Sequence, residues 1–211
     1  MLKSFQILGC SAGIPTIKRG VSSSIFSLQN CDIMIDCGEG TYLLWKQSNY
    51  KWKNLKYIFI THMHPDHIGG LIPLLFYRKI YSIEQPLIIA GPPELKDYVL
   101  SCFQFSGLNY NQNIAFINIK KVSKFDIEKT IKVKTLEMEH KIPCWGYRIE
   151  YKNKSIVLIT DTLASSQAVK LAKDADILIH EATYEYNQNI KAQNHYHTTN
   201  LQAMEIADQS N

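Results

Sequence analysis

The run Thr61-His62-Met63-His64-Pro65-Asp66-His67-Ile68-Gly69-Gly70 decides how this chain is read. It holds three of the seven histidines and follows the apolar run Tyr57-Ile58-Phe59-Ile60, a strand by composition. Side chains alternate along an extended chain, so His62 and His64 point the same way if the strand continues past Thr61. Pro65 stiffens the following turn, and Asp66 and His67 then open a helix beside free backbone N–H groups. Gly69-Gly70 leaves room for close backbone approach. Four ligating groups are thereby expected at the carboxyl end of one strand. Nitrogen and oxygen donors of this kind suit zinc, manganese or iron. The pairs His62/His64 and Asp66/His67 could serve two separate metals. A chance cluster of loop histidines would not need the order H-x-H-x-D-H between an apolar strand and a glycine pair.

Working outward, the front half reads as short strands and turns. Strands are expected at residues 5–8, 24–28, 32–35, 55–60 and 87–90, with 24–28 and 32–35 as a hairpin about Gln29-Asn30. A Gly/Ser/Pro-rich loop is expected over residues 9–20. Helices are expected at 42–48, at 68–78 with Pro73 distorting its first two turns, and at 95–103 after the prolines of G-P-P-E. Segments 114–120, 131–138, 145–151 and 155–160 have strand character. A short helix closes over 170–176, residues 177–180 form a buried strand, and a last helix spans 199–208 with Thr198 or Thr199 as its cap. Both halves begin with strands and add helices, which fits two sheets with helices outside and one domain over 1–211.

The 211 residues are 45% apolar and 20% charged, ordinary for a globular chain, and no window approaches a membrane span. Five cysteines, at 10, 31, 37, 102 and 144, form no CxxC pair. Their odd, scattered arrangement argues against a disulfide framework and for reduced thiols in a cytoplasm. A net charge of +4 tolerates a polyanionic partner without demanding one.

The signature T-H-M-H-P-D-H-I-G-G resembles that of the metallo-β-lactamase superfamily. More of the chain resembles its ribonuclease Z branch: I-L-G-C-S-A-G-I-P-T at 7–16, I-D-C-G-E-G-T at 35–41, G-P-P-E-L at 91–95, H-K-I-P-C-W-G-Y-R-I at 140–149, T-D-T at 160–162, H-E-A-T at 180–183 and H-T-T at 197–199. The resemblance implies the α/β class, specifically the αββα sandwich of two mixed β-sheets with helices on the outer faces. It implies two zinc ions, with manganese as the alternative. His62, His64 and His140 hold one ion, Asp66 and His67 the other, and Asp161 bridges them, so that a water held between them loses its proton near neutral pH. Asp36 is expected to orient a ligand histidine through its other ring nitrogen. Asp66, Glu181 and His197 are the expected catalytic residues, Glu181 holding His197 so that it steadies a phosphoryl oxygen or protonates the leaving 3′-oxygen. His180 is divided evenly between a structural and a functional role, and His195 reads as an exposed polar residue.

The implied activity is cleavage at the 3′ end of precursor transfer RNA. The alternatives are hydrolysis of small or cyclic nucleotide phosphodiesters and a degenerate, non-catalytic remnant. Two departures from the family pattern bear on this. Lys152-Asn153-Lys154 forms a tight turn where relatives carry a long arm that grips transfer RNA. The basic stretch 120–134 reads as a solvated strand face rather than a replacement. No residue matches the family's last metal-binding histidine, so the second ion is expected to bind weakly and the chain's activity to be reduced. A homodimer is in keeping with the resemblance, and no membrane partner is expected.

Overall fold

The computed structural model describes residues 4–28, 30–107 and 113–211, and the chain divides into two units, residues 1–119 and 120–211. In the first unit, β1 (Ser4–Ser11), β2 (Gly20–Val21), β3 (Ser23–Leu28), β4 (Cys31–Ile35), β5 (Leu55–Phe59), β6 (Leu87–Gly91) and β7 (Ile114–Asn118) form a mixed sheet ordered β2-β1-β3-β4-β5-β6-β7. β3 and β4 are the expected antiparallel hairpin; Gln29 of its turn lies outside the described residues. β4 to β7 run parallel, and parallel neighbours need crossovers, which helices supply. These helices are α1 (Thr41–Gln47), α2 (Pro65–Ile68), α3 (Leu71–Ile80) and α4 (Leu95–Phe105). Ile58, Ile60, Leu71, Leu74, Leu75, Leu95 and Val99 are buried together in one apolar cluster. Each such side chain contributes on the order of 1.5–3 kcal/mol.

Two expectations change here. The stretch 9–20 is not all loop, because its end forms β2 and pairs in parallel with β1. A two-residue strand is too short for any alternation pattern to reveal. The helix expected at 68–78 is broken at Gly69-Gly70 into α2 and α3. Consequently Pro73 falls in the first turn of α3, where its missing N–H has no intrahelical partner to lose, and it distorts nothing.

The break is a packing requirement. Gly70 N–H donates to the Cys37 carbonyl at 2.8 Å, and Cys37 N–H donates to the His67 carbonyl at 2.8 Å. A Cβ on Gly70 would stand 2.1 Å from the Gly38 carbonyl oxygen, and one on Gly38 would stand 2.1 Å from the Asp66 carbonyl oxygen. Both obstacles are backbone atoms, which cannot swing aside. Gly70→Ala is therefore expected to destabilise the protein by ~2–3 kcal/mol. A lowered urea midpoint at unchanged slope checks this, and a midpoint equal to the parent's would refute the interlock.

In the second unit, β8 (Lys124–Ile127), β9 (Ile131–Met138), β10 (Cys144–Tyr151), β11 (Lys154–Ile159) and β12 (Ile177–His180) form a mixed sheet ordered β12-β11-β10-β9-β8. β11 and β12 are parallel and the other pairs antiparallel. Tyr151 faces Lys154, so Lys152-Asn153 is a two-residue hairpin turn, with Lys152 at φ 55°. The helices are α5 (Ser166–Ala172), α6 (Asn189–Asn194) and α7 (Asn200–Gln209). α5 starts before the expected 170, at the Ser165 cap. α6 was not expected at all. Thr199 caps α7 and forms a capping box with Gln202. Met138, Val157, Ile159, Leu171 and Ile206 share the core of this unit. β12 is an edge strand rather than a buried one, and Ile177 stays 45% exposed. Taken with the likeness reported below, two mixed sheets with accompanying helices are the expected αββα class.

The basic stretch is not the single strand face expected: Lys124, Lys132 and Lys134 lie on β8 and β9, and Lys120, Lys121 and Lys129 lie in turns beside them. Lys132 is exposed, while Lys134 pairs with Glu150 at 2.7 Å, a carboxylate that Arg148 also contacts at 2.9 Å. The hydrogen bond from Lys134, with that from Arg148, holds the Glu150 carboxyl below its ordinary value of 4.5. A depressed carboxyl stabilises the fold above the unfolded value, and that contribution is lost as pH falls through the folded value. Glu150→Gln is expected to cost about 0.5–1 kcal/mol at pH 7, discounted for partial exposure. The gap should close as the solution is acidified below pH 4.5. Denaturation across that range checks it; a gap that persists at low pH would mean lost packing instead.

Candidate metal centre

In the first unit the donors stand where β5 ends. Beyond Phe59 the chain stays extended: Ile60 N–H bonds the Ala90 carbonyl at 2.8 Å, and Thr61 N–H bonds Asp36 Oδ1 at 2.8 Å. Asp36, just after β4, is wholly buried in the left-handed region at φ 58°. Its carboxylate collects Thr61 Oγ1 at 3.0 Å, Ser22 Oγ at 3.1 Å and His67 Nδ1 at 2.7 Å. The Thr61 hydroxyl, having donated to Asp36, accepts from His62 Nδ1 at 2.9 Å. One carboxylate thus sets two imidazoles, His67 directly and His62 through Thr61. In both rings the proton then sits on Nδ1 and the lone pair on Nε2.

His62 Nε2 lies 3.0 Å from His64 Nδ1. Donors of a tetrahedral zinc site stand about 3.3 Å apart, given bond lengths of roughly 2.0–2.1 Å, so this pair fits one ion. His64 caps α2 from an extended backbone and Pro65 is its first residue, which puts Asp66 and His67 in the first turn as expected. Asp66 Oδ2 lies 3.5 Å from His67 Nε2 and accepts from Gly13 N–H at 3.1 Å. Cys37, next to this cluster, is wholly buried, and that burial pushes its thiol far up.

In the second unit the donors again follow strand ends. His140, after β9, gives Nδ1–H to the Tyr196 carbonyl at 3.0 Å, which leaves the lone pair on Nε2, 3.8 Å from Asp161 Oδ2. Tyr196 holds that carbonyl from a left-handed backbone at φ 61°. Glu181, after β12, accepts from Thr162 N–H at 2.8 Å, Thr183 N–H at 3.2 Å, Thr183 Oγ1 at 2.5 Å and His197 Nδ1 at 2.9 Å. His197 Nε2 then lies 4.0 Å from Asp161 Oδ2. Asp161, Glu181 and His197 form one group of ligand-type atoms within 4.8 Å of one another. Thr198 Oγ1 donates to the Thr162 carbonyl at 2.6 Å, locking the two loops together.

His180 stands outside this group. Its Nδ1 donates to the Glu181 carbonyl at 2.7 Å, and burial lowers its affinity for a proton. His195 is exposed as expected, but it is hydrogen-bonded to the Tyr184 hydroxyl. The residues missed by sequence reasoning are Thr61, Thr162, Thr183 and Ser22, which satisfy or relay the carboxylates. Three of them sit inside T-H, T-D-T and H-E-A-T, where the spacing of the motif was the signal.

A family model described as anti-Pycsar protein Apyc1 matches residues 4–209. The chain belongs to this family. It is also 33% identical to ribonuclease Z of Streptococcus pyogenes serotype M5 (strain Manfredo), over 97% of the chain and 85% of the relative, which bears out the ribonuclease Z resemblance. Human tRNase Z, short form (ELAC1), superposes with a TM-score of 0.85 at 29% identity, over 98% of this chain and 88% of that one. The metallo-beta-lactamase fold protein YhfI of Bacillus subtilis gives 0.82 at 22% identity, over 98% and 80%, and shows the fold. Family membership and the His/Asp donor groups make this Apyc1-family chain a metal-dependent hydrolase acting on phosphodiester bonds. No helix among the described residues is long and apolar enough to cross a membrane.

Proposed function

We propose that the chain hydrolyses small phosphodiesters of nucleotides, cyclic ones included, at a two-metal centre. The observation that carries this reading is the two-residue turn Lys152-Asn153 between β10 and β11. The alignment with the streptococcal ribonuclease Z runs over 262 positions against the 211 residues of this chain, so the relative has stretches within the match that are lacking here. A protein without a basic arm loses the phosphate contacts that bind a large polyanion, whereas a small ester needs only the centre itself. Of the two lysines of β9, Lys134 is paired with Glu150 and only Lys132 is exposed.

In this reading His62, His64 and His140 would hold one ion and Asp66 and His67 the second, with Asp161 available to both. Zinc is the expected metal and manganese the alternative. When bound, the metals supply the Lewis acidity that polarises a phosphoryl oxygen and makes an attacking water acidic. The chain's own residues then orient and protonate: Glu181 fixes His197 with Nε2 toward Asp161, where it can steady a phosphoryl oxygen or protonate the leaving alkoxide. A single domain, a cytoplasmic setting and a homodimer belong to the same proposal. The cytoplasmic setting is supported by five cysteines that form no disulfide.

A second reading, maturation of the 3′ end of precursor transfer RNA, is favoured by the identity to ribonuclease Z over most of that enzyme's length. One assay separates the two. Metal-loaded protein is given precursor transfer RNA with a 3′ trailer, a nucleoside 3′,5′-cyclic monophosphate and bis(p-nitrophenyl) phosphate. Hydrolysis of the small esters alone supports the first reading, and cleavage of the RNA with the cyclic nucleotide untouched replaces it by the second.

A further inference from the structure

A depression of about 590 Å³ lies over α6, lined among others by Asn187, Asn189, Ile190, Asn194 and His195. Among the described residues, the side-chain amides of Asn187, Asn189 and Asn194 form no hydrogen bond within the protein. Each amide carries a donor and an acceptor side by side, the pairing that reads the edge of a nucleobase. Ile190, 77% exposed, adds an apolar surface against which a flat ring can rest.

The depression is linked to the reactive group through one side chain. The Tyr184 hydroxyl is hydrogen-bonded to His195, which lines the depression, and its ring centre lies 5.8 Å from that of His195 and 6.0 Å from that of His197. Lys191 Nζ sits 5.6 Å from the centre of the Tyr184 ring. Backbone bonds hold the wedge in place: Tyr184 N–H to the Thr198 carbonyl at 3.3 Å and Asn200 N–H to the Tyr184 carbonyl at 2.9 Å. Tyr184 therefore stands beside both His195, which lines the depression, and His197.

We propose that this depression is the nucleobase subsite of the enzyme, with Asn187 and Asn194 reading the base edge and Tyr184 separating the base from the reacting phosphate. The proposal rests on the nucleotide-phosphodiester reading above and deepens it. The full-length chain and its Asn187→Ala/Asn194→Ala double variant are compared in two ways. In the first, metal-free ¹⁵N-labelled protein is titrated with uridine, cytidine, adenosine and guanosine, free nucleosides that need no catalysis. Shifts of the Asn187 and Asn194 side-chain amide signals with at least one nucleoside, and loss of that binding in the double variant, are expected. Unmoved signals with all four overturn the subsite. In the second, kcat/KM of the metal-loaded proteins is measured on the nucleoside 3′,5′-cyclic monophosphates and on bis(p-nitrophenyl) phosphate, which has no base. The ratio of the two is expected to fall about tenfold in the double variant, through KM rather than kcat. An unchanged ratio overturns the proposal. If the parent protein hydrolyses neither ester, the phosphodiesterase reading fails, and the nucleoside titration still decides the subsite.

Discussion

Exchange of Asp66 for asparagine is expected to lower kcat/KM on the preferred phosphodiester by roughly 10³-fold or more, the scale of a group acting directly on the reacting centre. The substitution is nearly isosteric, and an amide oxygen can still accept the Gly13 N–H that now bonds Asp66 Oδ2 at 3.1 Å. The interlocked glycine backbone around α2 is untouched, so thermal unfolding should move little. What is lost is the negative charge beside His67 Nε2, 3.5 Å away. The pair then offers one neutral nitrogen and one neutral oxygen to a divalent ion in place of a carboxylate. The variant should bind less metal by mass spectrometric analysis and should hydrolyse bis(p-nitrophenyl) phosphate far more slowly at saturating zinc or manganese. Near-parental turnover at full metal content would remove Asp66 from the machinery.

The second large effect concerns Glu181 and His197. His197→Ala is expected to reduce kcat by about 10²–10⁴-fold, the usual worth of a positioned acid or base. Glu181→Gln should cost about 10²-fold, because Glu181 acts through His197: its Oε1 accepts the imidazole Nδ1–H at 2.9 Å, and Thr162 and Thr183 hold the carboxylate in place. Glutamine keeps the shape but loses the charge that favours an imidazolium. The two residues form one unit, so the Glu181→Gln/His197→Ala double variant should be no slower than His197→Ala alone. Multiplicative losses, as from independent sites, would show that Glu181 does not work through His197. Parental kcat in His197→Ala would end the assignment of proton transfer to that residue.

Much of this site was legible as sequence because strands and motifs carry their own periodicity. Apolar runs before Thr61, Asp161 and His180 marked strand ends, and ligands clustered there. The H-x-H-x-D-H order announced a metal site before any fold was known. The places where sequence reasoning fell short share one cause: they depend on backbone groups remote in sequence. Gly69-Gly70 signalled close backbone approach, but nothing in the sequence says that Gly70 N–H bonds the remote Cys37 carbonyl, at 2.8 Å, and so ends α2 there. Likewise β2 exists only because β1 lies beside it, and β12 is an edge strand although its residues are apolar.

The sequence alone determined the donor types, through residue identity and spacing, and pointed to the class of protein and the fold through its resemblance to a known family. Only the tertiary structure decided which nitrogen each histidine offers. His62 and His67 present Nε2 because a buried carboxylate 25 residues or more upstream takes their other side, and His140 presents Nε2 because the Tyr196 carbonyl, 56 residues away, takes Nδ1. An imidazole has two chemically similar nitrogens, and the choice between them is made by whichever hydrogen-bond acceptor the fold delivers.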